Sequence, residues 1–183
     1  MMKFYTNFLL ITLFLFSIVS NAQSEQESSE LKERHHSLQF LLGHTQIQEA
    51  INEDGKRAWL SVPSFELNYN FEINEKWAIG LHTDIVIEDF SVETFSEDNK
   101  VIERSSPIAP AIVTSFKFCN HFSALLGLGG EFSKEENFML IRIGIEYGYE
   151  FHKNWELVSN LTNDSKFNAY NSFSFGIGIA RKL

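Results

Sequence analysis

A two-residue rhythm that separates bulky side chains from glycine constrains this chain more than any other feature. Near the C-terminus Phe173, Phe175, Ile177 and Ile179 alternate with Ser174, Gly176, Gly178 and Ala180. Upstream, Ile141, Ile143, Ile145, Tyr147, Tyr149 and Phe151 alternate with Arg142, Gly144, Glu146, Gly148 and Glu150. Successive side chains of a strand point to opposite faces, so each segment has one greasy face and one small, polar or charged face. Of the ten glycines, Gly43, Gly80, Gly127, Gly129, Gly144, Gly148, Gly176 and Gly178 all share the polar phase. The chain is expected to be all-β.

The first residues read as an export signal. Met1-Met2-Lys3 supplies a positive start, Phe8 to Val19 an apolar core, and Ser20-Asn21-Ala22 a small-x-small cleavage pattern. That run is shorter than the roughly 20 residues a spanning helix needs. The expected organisation is a signal peptide over 1–22, a flexible, polar periplasmic leader over 23–35 and one barrel domain over 36–183. Removing Lys3 with the signal leaves 14 basic residues against 24 acidic ones, a net charge of 14 − 24 = −10. This argues against nucleic acid as a partner. Cys119 is the single cysteine, so no internal disulfide can form.

Eight strands are expected, at about 36–46, 59–72, 77–88, 108–118, 122–132, 139–151, 155–163 and 170–183. Short turns fall at Ile73-Asn74-Glu75, Cys119-Asn120-His121 and His152-Lys153-Asn154. Longer, polar connections fall at Gln48 to Arg57, Asp89 to Ser106, Ser133 to Asn137 and Asp164 to Ala169. Alternating short and long connections suit an up-and-down barrel with both termini on one side of a membrane. An aromatic girdle is expected at the short-turn ends from Tyr69, Trp77, Phe118, Phe122, Tyr149, Phe151 and Trp155, with a looser band near Trp59, Phe90, Phe132, Phe138 and Tyr170. Pro63 lacks a ladder donor and lies toward the outer rim of the second strand, where a bulge could absorb it.

Alternation alone does not say which face is inside. A glycine on a water-facing strand weakens it for no gain, whereas small residues in a narrow barrel make room for long side chains from facing strands. The expected fold is therefore an eight-stranded up-and-down antiparallel transmembrane β-barrel, with apolar residues toward lipid. The alternative is a soluble, lipocalin-like periplasmic lipid-binding barrel. On this alternation the chain resembles the small eight-stranded outer-membrane barrels of the OmpA and OmpX type, with a signal ending similar to those of Bacteroidetes, a Gram-negative group. The resemblance spans about His36 to Leu183. It implies a porin-like architecture in the cell outer membrane. The partners it implies are outer-membrane lipid, lipopolysaccharide and the barrel assembly machinery, with the chain a monomer. Barrels of this type usually end in an aromatic residue, whereas this chain ends Ala180-Arg181-Lys182-Leu183.

The lumen is expected to hold a charge cluster of Glu66, Asp84, Lys117, Arg142, Glu146 and Glu150, with His82, Glu88, Glu131, Glu156 and Lys182 also inward. Charges in a tight interior must pair, so Arg142 and Lys117 are expected to be neutralised by Glu66, Glu146 and their neighbours. The alternative is a narrow, cation-preferring pore. His121-Phe122-Ser123 superficially resembles a His-x-Ser pair of lipid A deacylases, but it falls at a short turn with no orienting acid nearby. The chain is read as non-enzymatic, with no catalytic residue, cofactor or metal site. His35, His36, His44, His82, His121 and His152 show no ligand-like spacing. A structural or surface-interaction role is expected from the outer loops, above all the acidic Asp89 to Ser106 segment.

Overall fold

The structure, a computed structural model, describes residues 35–52, 54–95 and 100–183. The expected signal segment, and all of the leader except His35, lie outside the described residues. Among the described residues there are ten strands: β1 (His36–Ile51), β2 (Arg57–Glu72), β3 (Trp77–Val86), β4 (Phe90–Glu93), β5 (Val101–Arg104), β6 (Ile108–Lys117), β7 (Phe122–Glu131), β8 (Phe138–His152), β9 (Trp155–Lys166) and β10 (Asn171–Lys182). All but β4 and β5 form an antiparallel sheet in the order β1-β2-β3-β6-β7-β8-β9-β10. β10 returns to pair with β1 from Ser37↔Lys182 to Ile47↔Ser172, which closes an eight-stranded barrel. Closure leaves no unpaired edge in the eight-stranded wall, the condition a β structure must meet to sit in hydrocarbon.

The greasy phase faces out. Phe175, Ile143 and Leu81 are 56, 52 and 49% exposed on the barrel wall. All eight in-phase glycines face in, with the polar residues. Two of them show why. A Cβ on Gly178 would collide with the Phe40 carbonyl and lie 2.6 Å from Leu41 Cα, so the β1–β10 seam closes only over glycine. A Cβ on Gly176 would lie 2.9 Å from Asn160 Oδ1 and 3.0 Å from Glu66 Oε1, so Gly176 is the space those two side chains use.

The three short turns form as expected. Asn74 Oδ1 accepts from the Lys76 and Trp77 amides at 2.9 Å, and Asn154 takes a left-handed φ of 67° that asparagine tolerates. The long connections are less loop-like than their composition suggests. β1 runs to Ile51 through a register shift between Ile47 and Ala50, and β9 runs to Lys166. Pro63 needs no bulge. The Ile87 amide donates to the Pro63 carbonyl, so the polar groups of Pro63 point to the β3 side, beyond the last paired residues Ser64↔Val86.

The Asp89 to Ser106 segment is the main departure. It folds as a β4–β5 hairpin, paired Phe90↔Arg104 to Glu93↔Val101 and joined to β1 at Ala50↔Val92. Its inward phase is buried: Phe90, Val92 and Ile102 join Ile47, Ala50, Val62, Val86, Ala169 and Tyr170 in an apolar core at the long-loop end.

Candidate functional site

The lumen is filled in layers. Nearest the long loops, under the hairpin, Arg104 of β5 is fully buried (0% exposed) and sends Nε and Nη2 to Glu131 Oε1 at 3.0 and 2.5 Å. Its Nη1 donates to the Glu136 carbonyl at 2.5 Å, and its guanidinium lies 4.9 Å from the Phe138 ring centre. Tyr170 Oη donates to Glu131, and Lys166 Nζ lies 3.3 Å from Glu131 Oε2 while donating to Ser172 Oγ at 2.6 Å. One carboxylate thus ties together the hairpin, β7, β9 and the Ala169-Tyr170 corner.

The next layer centres on Arg142, 1% exposed. Its Nε and Nη2 donate to the two Asp164 oxygens at 2.7 Å each, and Nη1 donates to Asp84 Oδ1 at 2.8 Å. Weaker contacts reach the Ala109 and His82 carbonyls at 3.3 and 3.5 Å. The fork geometry of a guanidinium suits this two-carboxylate clamp. His82, buried beside it, bonds through Nε2 to Asn70 Oδ1 at 2.9 Å. A space of about 20 Å³ separates this layer from the cap, room for roughly one water.

Below it, Glu66 Oε2 accepts from Asn160 Nδ2 at 2.5 Å and Asn68 Nδ2 at 3.3 Å. Asn68 Nδ2 also reaches Gln39 Oε1 at 3.3 Å, and Gln39 Nε2 reaches Glu146 Oε1 at 3.5 Å. Small apolar groups fill the gaps: Leu41, Val158 and Ala180 on one side, and Ala109, Ala111, Val113, Leu125 and Leu140 on the other. At the short-turn end the lumen widens into a cavity of about 530 Å³.

Of the expected cluster, the barrel brings Glu66, Asp84, Arg142 and Glu146 into the lumen. Lys117 and Glu150 do not join them. Both are exposed at the short-turn rim, where Glu150 pairs with Lys182 at 2.9 Å. Glu88 is exposed as well, just past the end of β3. Arg142 is neutralised by Asp84 and Asp164, not by Glu66 or Glu146, because Asp164 lies directly opposite Arg142 in the β8–β9 register. Arg104, Asp164 and Lys166 escaped the sequence reading, and of the looser aromatic band only Trp59 and Phe132 are exposed, because Phe90 and Tyr170 turn inward into the apolar core with Phe138 packed against it. For Asp164 and Lys166 there was a signal: Phe167 resumes the outward phase of Leu157 and Leu161, so the polar stretch between is still strand. The girdle residues Tyr69, Trp77, Phe118, Phe122, Tyr149 and Phe151 are exposed on the wall, and Trp155 is half-buried under the Arg181 guanidinium at 5.4 Å.

No Ser–His machinery forms at the 121–123 turn. His121 Nδ1 donates to the Gly148 carbonyl at 3.0 Å, and its ring leans on Tyr147 and Tyr149. His36 Nδ1 bonds to Tyr69 Oη at 2.6 Å. Among the described residues no three His, Cys, Asp or Glu side chains are placed to hold a metal ion.

No family model matches this chain. No curated protein matches its sequence. Solved structures do match its fold. The Ail attachment invasion locus protein of Yersinia pestis, crystallised with the heparin analogue sucrose octasulfate, is similar with a TM-score of 0.55 and 16% identity, over 82% of this chain and 99% of that one. Neisserial surface protein A is similar at a TM-score of 0.52 and 11% identity, over 81% of this chain and 97% of that one. The outer membrane protein OprG of Pseudomonas aeruginosa is similar at a TM-score of 0.52 and 10% identity, over 82% of this chain and 97% of that one. At these identities the likeness is one of fold: the chain has the architecture of the small eight-stranded outer-membrane barrels.

Proposed function

We propose that this protein is a non-enzymatic barrel of a bacterial outer membrane, sealed along its axis, which acts through the surface its long-loop end presents. The observation that carries the reading is the joint sorting of side chains. A belt of Leu, Ile and Phe faces out on all eight strands, while Arg142 sits fully paired at the centre of the lumen and Arg104 locks the hairpin over its mouth. Lipid is the solvent that rewards such a belt. A lipocalin-like barrel would enclose those residues, so the soluble alternative loses its support. The arginine layers and the apolar cap likewise oppose a conducting path.

Retention of the expressed protein in washed outer membranes, with heat-modifiable gel mobility, tests the location; recovery in the soluble periplasmic fraction would overturn it. Planar-bilayer recordings of refolded protein test the seal, with no channel steps expected. The long-loop segments carry more acid than base, so a basic surface or a divalent cation is a better match for this end than the polyanion found with Ail. Binding of immobilised polylysine, but not heparin, to intact cells expressing the protein checks this; equal retention of both would refute it.

A further inference from the structure

The outer wall is not apolar to the same height all the way round. Ladder partners do not share a height, because the strands of a closed barrel are tilted. Traced from pair to pair round the wall, the ladder that leaves β1 at His36↔Phe71 returns to it at Gln46↔Phe173, a stagger of 46 − 36 = 10 residues. Each of the eight steps therefore climbs 10/8 = 1.25 residues toward the long loops. Corrected for that climb, one outward row near the long-loop end lies at a single height to within a residue. On β9, β10, β1 and β2 it reads Ser165, Asn171, Gln46 and Ser61. On β3, β6, β7 and β8 it reads Ile87, Ile108, Phe132 and Met139, which are 43 to 73% exposed. The row below repeats the contrast: Asn163 and His44 on the first side, with Phe173 between them, and Ile85, Leu128 and Ile141 on the second.

The polar half satisfies itself without a protein partner. Gln46 Nε2 donates to Ser61 Oγ at 2.6 Å, Ser165 Oγ donates to Asn163 Oδ1 at 3.2 Å, and Asn163 Nδ2 donates to the Ser172 carbonyl at 3.2 Å. The Trp59 and Phe173 rings, from the two strands flanking β1, stack nearly parallel at 6.4 Å. Such rings favour the headgroup layer, where an apolar body meets a wet edge. Phe167, above Ser165, stands at the border with the apolar half, its amide donating to the Met139 carbonyl at 3.0 Å. Amides and hydroxyls lose free energy in hydrocarbon, whereas a row of Ile, Phe and Met gains there. One flat boundary serves both halves only if the barrel axis is inclined to it.

We propose that the barrel sits obliquely in the bilayer. The β9–β10–β1–β2 wall is raised, so that outer-leaflet headgroups bind its polar rows, while the β3–β6–β7–β8 wall keeps its matching rows among the acyl chains. The seat rests on the outer-membrane reading above and adds which side of the wall the headgroups meet. One to two rows of residues rising about 3.3 Å each, on strands tilted about 40°, set the difference in depth at about 5–10 Å.

The test uses the full barrel refolded into phosphatidylcholine vesicles, with folding checked by heat-modifiable mobility. Cys119, the single cysteine, is replaced by serine. A nitroxide is then attached to one introduced cysteine at a time: Ser61→Cys and Asn163→Cys on the raised side, Ile87→Cys and Leu128→Cys on the other. Access of oxygen, which favours hydrocarbon, and of a nickel chelate, which stays in water, gives the depth of each label. Labels at Ser61 and Asn163 should lie about 5–10 Å nearer water than labels at Ile87 and Leu128. Equal depths within hydrocarbon on both sides would overturn the oblique seat and leave the membrane location standing. Free access of the nickel chelate to Ile87 and Leu128 would overturn the location itself, and the seat with it. Shielding of Ser61 and Asn163 from both reagents would overturn the seat in favour of a covering protein, such as a second copy of the chain. Urea unfolding gives an independent reading from two residues of one row. His44→Arg should raise the unfolding equilibrium constant no more than about fivefold, as near an interface, and Leu128→Arg about thirtyfold or more. Equal penalties at the two positions would overturn the proposal.

Discussion

Replacing Arg142 by methionine is the sharpest probe of the lumen. The side chain is 1% exposed and makes three short bonds, two to Asp164 and one to Asp84. Methionine fills similar space but leaves both carboxylates without their cation. Removing one partner of a buried ion pair costs about 3–5 kcal/mol, chiefly because the surviving charge is stranded away from water. The expected loss for Arg142→Met is in that range. A triple variant, Arg142→Met with Asp84→Asn and Asp164→Asn, removes the stranded charges and should return to within about 2 kcal/mol of the parent. Urea unfolding from lipid vesicles reads this out. Trp59 and Trp77 are exposed on the outer wall, so their fluorescence follows the move from hydrocarbon to water. A single variant within about 1 kcal/mol of wild type would refute the reasoning, because it would mean water already solvates these carboxylates. A triple variant no better than the single would refute it too, since the cost would then lie in packing.

Four further outcomes follow from the geometry. Ile102→Ala empties part of the cap core and should weaken it by about 2–5 kcal/mol, seen as protease cleavage within the hairpin while the heat-modifiable barrel persists. Gly178→Ala forces the β1–β10 seam apart against the Phe40 carbonyl and Leu41 Cα, and should lower stability by roughly 1–3 kcal/mol in the same urea assay. Leu81→Arg places a charge on the outer wall and should cost about 2–4 kcal/mol near a bilayer midplane; no loss would contradict the lipid-facing assignment. At the outer end, the hydrogen bond from Arg57 Nε, 2.5 Å long, holds the Glu93 carboxyl below its ordinary range. This tether is therefore complete above the ordinary glutamate value and is lost as pH falls through the depressed one. A carboxyl NMR titration should show the Glu93 midpoint move up in Arg57→Gln.

The barrel was legible because its signal is redundant. Each of the eight wall strands repeats the same phase several times, and glycine marks that phase independently of hydrophobicity, so an error at one position changes nothing. The hairpin was not legible for the opposite reason. β4 and β5 are four residues each, and Phe90 and Val92 on one, with Ile102 on the other, are too few to separate from chance among acidic neighbours. What makes them strands is the barrel mouth beneath: Val62, Val86 and Tyr170 supply an apolar surface that only the folded wall assembles. Composition read the segment as a free acidic loop. Burial of its inward phase makes it a cap, with Asp89 and Glu103 left exposed.

Partner choice inside the lumen was the least legible layer, and the reason is geometric. Phase tells which residues face in; register and strand stagger tell which of them meet. Glu146 is nearer to Arg142 in sequence than Asp164 is, yet it lies four residues along the same strand, toward the short turns. Asp164 stands directly across the ladder, and Asp84 arrives from β3, further round the barrel wall. A strand rises about 3.3 Å per residue, so four residues put Glu146 roughly 13 Å away along β8. The arginine therefore satisfies itself at its own level, and Glu146 is left at the next level with a single weak donor. The unpaired Glu146 oxygen is thus a product of the same stagger that seals the lumen above it. A variant that carries Arg142 one level down, Arg142→Gly with Gly144→Arg, should move the guanidinium about 7 Å toward Glu146. The move strands Asp84 and Asp164, and a Cβ at position 144 would lie 2.8 Å from the Leu161 carbonyl, so urea unfolding should show a loss of at least about 3–5 kcal/mol; a swap as stable as the wild type would show that register does not decide which carboxylates the arginine serves.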